Sequence, residues 1–402
     1  MDLTSEHPFW SLKNGLVNSY PPLTSDLQCD VTVLGAGITG AMLAYSLSKA
    51  GFAVVVLDKR DVCSGSTSAS TALLQYEIDV PLIEMGGLIG KEQAQLAYQL
   101  SHQSIDSLEA LAWELGNPCD FERRTSLYFA DDKRSAITLA NEYRARRELK
   151  LDIAYHDAAS CRTKFGLQGY ALLSSTQAAC CDPYLFAHAL LMGAEGFGSK
   201  IHDRTHVVSI EHSANQCTLK TRKGPVVHCD RVVVAAGYEA TQMLPERVLD
   251  LSNTYAYVSQ PLNSTQTSDW NREWMLWETK HPYLYLRMTK DNRMLIGGED
   301  DDFHNPVRRD RALSRKTKSI QQKAEKLLAR GPFEPEYAWA GTFGKTKDGL
   351  AYIGEHPDLP NRYFALGFGG NGITFSSIAC NMILKLLRGE DCPEQHLFRF
   401  RR

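Results

Sequence analysis

A glycine turn set between two apolar strands constrains this chain more than any other feature. Asp30 to Leu34 is short and rich in β-branched residues, Gly35-Ala36-Gly37-Ile38-Thr39-Gly40 follows at once, Ala41 to Ala50 has helical composition, and Ala53 to Leu57 is a continuous apolar run. Apolar residues without alternation suit a parallel strand covered on both faces, so the segment reads as one β-α-β unit. In such a unit Gly35 permits the tight turn, Gly37 lets the backbone approach a pyrophosphate, and Gly40 lets the helix pack close to the sheet. The helix N-terminus favours phosphate charge. Asp58 closes the second strand at close to the interval of about 20 residues at which an acid accepts from ribose hydroxyls. The glycine pattern alone is weak; its context favours nucleotide binding over an unliganded turn.

The motif does not choose between FAD and NAD, but three later segments bear on the choice. Ser64 to Thr71 is a small, hydroxyl-rich run just past the second strand, suited to close approach of a large flat ligand. Ala235-Ala236-Gly237 ends an apolar strand with small residues. Gly367-Phe368-Gly369-Gly370-Asn371-Gly372-Ile373-Thr374 precedes the last helix and offers a second helix N-terminus with free N–H groups. A nicotinamide-dependent dehydrogenase leaves this last segment unexplained.

At 402 residues the chain exceeds what one core usually serves, so two domains are expected. Residues 1–28 read as an extended arm. Residues 29–90, 165–250 and 335–402 read as a discontinuous nucleotide domain, and 91–164 with 251–334 as a second domain holding an antiparallel region. Asp182-Pro183 is a helix start, the acid capping free N–H groups and the proline suiting the first turn. Residues 307–330 read as a basic amphipathic helix with a solvated charged face. The net charge of −3 gives no reason to propose nucleic acid as a partner, and no apolar run is long enough to span a bilayer. Ten scattered cysteines without a Cys-x-x-Cys pair argue against zinc, iron–sulfur or other metal sites and for reduced thiols in a cytoplasmic protein.

Together these segments resemble the D-amino-acid oxidase and glycine oxidase superfamily of FAD enzymes over nearly the whole chain after residue 28. The resemblance is most specific at Trp339-Ala340-Gly341, Thr346-Lys347-Asp348-Gly349, Tyr352-Ile353-Gly354 and Asn371-Gly372-Ile373. It implies an α/β fold: a Rossmann-type FAD-binding domain with a second α+β substrate domain whose antiparallel sheet covers the flavin. It places Ile38 and Thr39 at the pyrophosphate, Asp58 and Lys59 at the adenosine, and Val207 at the adenine. Ser66, Thr67, Thr71, Ala72 and Leu73 would follow the cofactor towards its ring, and Phe368 to Thr374 would line the ring end.

Departures from the family pattern bear on substrate. Where glycine oxidases carry an arginine for the substrate carboxylate, Phe343 stands here, and a second family arginine is matched by Gly370. Gly341 stands where the sarcosine oxidase branch has its flavin-linking cysteine, so non-covalent FAD is expected. Tyr283, Tyr285 and Arg287 share one face of a strand. They read equally well as a substrate pocket, with Arg287 as carboxylate anchor, or as a half-exposed strand with a salt-bridged arginine. The expected activity is oxidation of the C–N bond of an amine or amino-acid-like substrate, with oxygen or another electron acceptor. A flavin-binding assembly protein that has lost catalysis is the alternative from a different class.

Overall fold

In the computed structural model, which describes residues 4–213, 216–267 and 270–402, the strands flanking the glycine turn pair in parallel. Leu27–Leu34 lies between Val54–Leu57 and Val226–Val234, with Val33 beside both Val56 and Val233. Lys200–His202 extends the sheet on one side in parallel, and Leu359–Leu366 with Tyr352–His356 extend it on the other. Val31, Val33, Leu34, Val54 to Leu57 and Val232 to Val234 are all buried, as apolar strands covered on both faces must be. Helices Ile38–Lys49, Pro183–Gly196 and Gly372–Leu387 pack over one face. Asp182 caps the second of these helices, accepting from the Tyr184 and Leu185 amides, with Pro183 in the first turn.

A second, mostly antiparallel sheet runs in the order Pro335–Lys345, Asp250–Ser259, Met294–Asp302, Leu284–Met288, Trp274–Glu278, Glu122–Ala130, Ala171–Cys180, Leu73–Gln75. The two sheets are the expected combination of a Rossmann-type unit and an antiparallel region. Their division of the chain differs from the expected segments: Leu73–Gln75, Ala171–Cys180 and Pro335–Lys345 pair in the second sheet. Apolar patterning marks a stretch as a strand; the long-range partner that decides its sheet leaves no local trace.

The basic helix, Pro306–Leu328, packs on the strands Pro335–Lys345, Met294–Asp302 and Asp250–Ser259 through Leu313, Ile320, Ala324 and Leu328. Its outward charges are solvated as expected, but Arg309 and Lys316 turn inward: Arg309 donates to the Thr4 carbonyl at 2.8 Å and Lys316 to the Glu299 carbonyl at 2.7 Å. The N-terminal arm is more than an extended lead. It folds a short helix, Phe9–Asn14, whose Phe9 and Trp10 enter the main core. All ten cysteines are free and buried. Among the described residues no helix is long and apolar enough to cross a membrane, and no group of side chains has the makings of a metal site.

Candidate functional site

One cavity runs between the two sheets, and nearly all the motif residues line it. Its first end is the glycine turn. Gly35 has φ +104, and a Cβ on it would lie 2.4 Å from the Ala235 carbonyl oxygen. A Cβ on Gly40 would lie 1.8 Å from the Gly35 carbonyl oxygen, so only glycine lets the helix Ile38–Lys49 begin this close to the sheet. The Ile38 amide at that N-terminus donates to Thr67 Oγ1 at 2.9 Å, bringing the hydroxyl-rich run over the helix start. Asp58 accepts from the Ala36 amide at 2.8 Å and the Arg60 amide at 2.9 Å, and burial pushes its carboxyl up against those two hydrogen bonds. Beside it Lys59 and Arg60 both pair with Glu239, at 2.6 and 3.0 Å. Gly37, Thr39, Ser66, Val207, Ala236 and Gly237 line this half as well.

Thr71, Ala72 and Leu73 lead the lining to the other end. There Phe368, Gly369, Gly370, Asn371, Gly372 and Ile373 bring the N-terminus of Gly372–Leu387 to the cavity. Of the expected cofactor residues, Gly40 and Thr374 stand behind the lining. Gly40 packs on Gly35, and Thr374 Oγ1 donates to the Asn371 carbonyl at 2.9 Å. This end is walled by Trp277, Tyr283, Tyr285, Thr254, Thr342 and Phe343. Tyr285 lies opposite Gly297, where a Cβ would sit 2.4 Å from its ring, so that glycine makes room for the phenol. Its Oη is 3.0 Å from Thr254 Oγ1. Burial pushes the Tyr283 and Tyr285 phenols up, which keeps both protonated. Trp277 stacks on Tyr128 at 3.6 Å between ring centres, and its Nε1 donates to Ser126 Oγ at 3.2 Å.

Arg287 shares the strand face of Tyr285 but not its destination. Its Nε donates to the Thr71 carbonyl at 2.9 Å and Nη2 to the Cys181 carbonyl at 3.3 Å, and its guanidinium lies 5.5 Å from the Trp10 ring centre. It is buried and is not part of the cavity lining. The structure therefore corrects the expected carboxylate anchor. Two residues along a strand is roughly 6.6 Å, far enough to carry Arg287 past the pocket to the loop that crosses behind it. Trp339 Nε1 donates to the Ala69 carbonyl at 2.8 Å and Trp10 Nε1 to that of Ser70 at 2.7 Å. Three buried donors thus hold three successive carbonyls of the cofactor loop.

Two acids missed by the sequence reading stand at the aromatic end. Asp79 lines the cavity, accepts from the Gly370 amide at 2.7 Å, and donates its own amide to Asn371 Oδ1 at 3.3 Å. A Cβ on Gly370 would lie 2.8 Å from Asp79 Oδ1, so a side chain there would displace the carboxylate. Asp300 comes from a β-bulge in which Glu299 and Asp300 oppose the single residue Thr254. The bulge sends Glu299 out to Lys316 and Lys323 and turns Asp300 towards Tyr283 and Tyr285. Burial pushes the Asp300 carboxyl up to about 6, and burial likewise raises that of Asp79.

The residues present fit FAD. One end offers a glycine cradle, a helix N-terminus and an acid for an adenosine diphosphate; the other offers a second helix N-terminus and a flat aromatic-walled space. A family model described as FAD dependent oxidoreductase (DAO) matches residues 30–386. Gamma-glutamylputrescine oxidoreductase of Escherichia coli (strain K12) is 24% identical over 391 residues, covering 93% of this chain and 87% of that protein. Among solved structures, glycine oxidase from Geobacillus kaustophilus superposes with a TM-score of 0.77 at 19% identity, covering 94% of this chain and 99% of that one. An L-alpha-glycerophosphate oxidase from Mycoplasma pneumoniae with FAD bound superposes with a TM-score of 0.75 at 14% identity, covering 93% and 98%. With a glycine cradle, a second helix N-terminus on the same cavity and a family match over most of its length, the chain belongs to the FAD-dependent oxidoreductase (DAO) family.

Proposed function

We propose that this protein oxidises the C–N bond of a small amine or amino-acid-like molecule, using non-covalent FAD. The observation that carries the reading is one cavity with a nucleotide cradle at one end and an aromatic-walled pocket at the other. The family match favours it over a nicotinamide-dependent dehydrogenase or a non-catalytic flavin-binding scaffold. FAD, when bound, supplies the hydride acceptor. The protein's residues do the rest. The amides at the start of Ile38–Lys49 and the Thr67 hydroxyl hold the pyrophosphate, and Asp58 holds the ribose. The N-terminus of Gly372–Leu387 favours negative charge at the ring. Trp277, Tyr283 and Tyr285 orient the substrate, and the neutral phenols of the two tyrosines donate hydrogen bonds without moving charge.

Non-covalent attachment is supported by the aromatic end. Among the described lining residues the cysteine is Cys63 and the histidine His206, both beside the adenosine cradle. Oxygen or another small acceptor takes the electrons, in a cytoplasmic setting suited to ten free thiols. Turnover with an amine panel tests the reading: a carbonyl product and released amine or ammonia support it. A stable yellow holoprotein that converts none of them contradicts it.

A further inference from the structure

Outside the adenosine cradle, Asp79 is the one charged side chain among the described residues that line the cavity. The family positions that would bring a cation here hold Phe343 and Gly370, both part of the wall. Asp79 does not stand alone. Asp300 lies behind the lining, its side chain 8% exposed; the Thr254 side chain bears on it, but neither carboxylate oxygen meets full hydrogen-bond geometry with a partner. A buried carboxylate without partners is costly and calls for an explanation. Lys345 Nζ approaches it to 3.9 Å, but that lysine is 45% exposed and is also drawn over the Phe343 ring. Lys316 also bears on Asp300 and His281 on Asp79, but neither of them nor Lys345 lines the cavity beside the two carboxylates. Asp79 and Asp300 both bear on the Tyr283 and Tyr285 phenols, which wall the same end of the cavity, and aromatic ring faces attract a cation. A carboxylate beside aromatic faces is a recognition set for an ammonium group, and it repels a carboxylate.

We propose that Asp79, backed by Asp300, anchors a positively charged amino group of the substrate, so that the preferred substrates are diamines and other amines carrying a second ammonium rather than simple α-amino acids. This rests on the C–N oxidation reading and names its substrate class. The apolar wall of Phe343 and the aromatic rings accommodates the methylene chain between the anchored ammonium and the reacting amine.

Anaerobic isothermal titration calorimetry of the FAD-loaded protein, with its flavin reduced beforehand, against 1,4-diaminobutane, butylamine and glycine tests the anchor without turnover. The diamine is expected to bind about tenfold or more tighter than butylamine, as a charge-assisted contact implies, with glycine weakest. Asp79→Asn should erase that preference while FAD content is unchanged, and Asp300→Asn should reduce it by about threefold. Glycine binding tighter than the diamine, equal binding of diamine and butylamine, or a preference that survives Asp79→Asn would overturn the proposal. If Asp79→Asn does not retain FAD, Asp300→Asn carries the mutational arm, and an unchanged preference there overturns it. A diamine that binds with the stated preference but yields no carbonyl product sinks the oxidation reading and leaves the anchor standing.

Discussion

The two ends of the cavity handle buried charge in opposite ways. At the adenosine end every acid is answered within the protein. Asp58 takes the amides of Ala36 and Arg60, and although burial pushes the Glu239 carboxyl up, Lys59 and Arg60 outweigh it and hold it below its ordinary value. Burial raises the Asp58 carboxyl too, but at the aromatic end Asp79 has one backbone donor and Asp300 has none. A site finished within the protein can hold a resident cofactor through many turnovers. A site left short of positive charge gains that charge from something that comes and goes. On the proposed reading, the first end retains the cofactor and the second selects the substrate.

The sharpest way to break the contrast is at the cradle. Gly40→Val drives a side chain into the Gly35 carbonyl and should abolish FAD retention; a mutant purified with a normal flavin-to-protein ratio would remove the cradle from the account. Next, Asp58→Ala strips the acceptor from two amides, and should weaken FAD affinity by about ten- to a hundredfold, read by flavin fluorescence titration of the apoprotein.

Asp300 sharpens the comparison from the other side. Its folded pKa, about 6, lies above the ordinary 3.8. A raised acid adds to stability below its unfolded pKa, and that contribution is lost as pH rises through the folded value. Asp300→Asn should therefore stabilise the protein at pH 8 by up to about 3 kcal/mol, with the gain vanishing near pH 4. Lys345, Lys316 and Asp79 are the charged groups that bear on Asp300, and none changes in this variant. Melting curves of both proteins across that range check it; a variant destabilised at pH 8 would show that Asp300 is satisfied after all.

The smallest effect concerns Arg287. Because its donors hold the Thr71 and Cys181 carbonyls, Arg287→Lys should weaken FAD binding by up to about tenfold, the cost of roughly one hydrogen bond to a charged donor, while KM for the amine stays unchanged. A raised KM with normal FAD affinity would return Arg287 to the substrate pocket.

How legible each end was follows from the same difference. The cradle is built from a contiguous run, Asp30 to Asp58, whose spacing is itself the signal. Asp182-Pro183 was readable for the same local reason. The aromatic end is assembled from far apart: Gly370 donates to an acid 291 residues earlier. Asp79 sits in no motif. Asp300 hides inside the acidic run Glu299 to Asp302, and only the bulge opposite Thr254 sets it apart from its neighbours. The Gly297-Gly298 pair just before that run was the available hint of irregular strand geometry. For Arg287 the sequence leaves the pocket and the strand reading equal, because alternation fixes the face of a strand but not how far along it the pocket extends.

The central claim is that the aromatic end delivers an amine to the flavin. Anaerobic addition of one equivalent of 1,4-diaminobutane to the holoprotein tests it most directly. The visible flavin absorption is expected to bleach to the reduced form at one substrate per flavin and to return when an electron acceptor is admitted. Unchanged flavin absorption with the diamine, and with every other amine or amino acid tried, would contradict it.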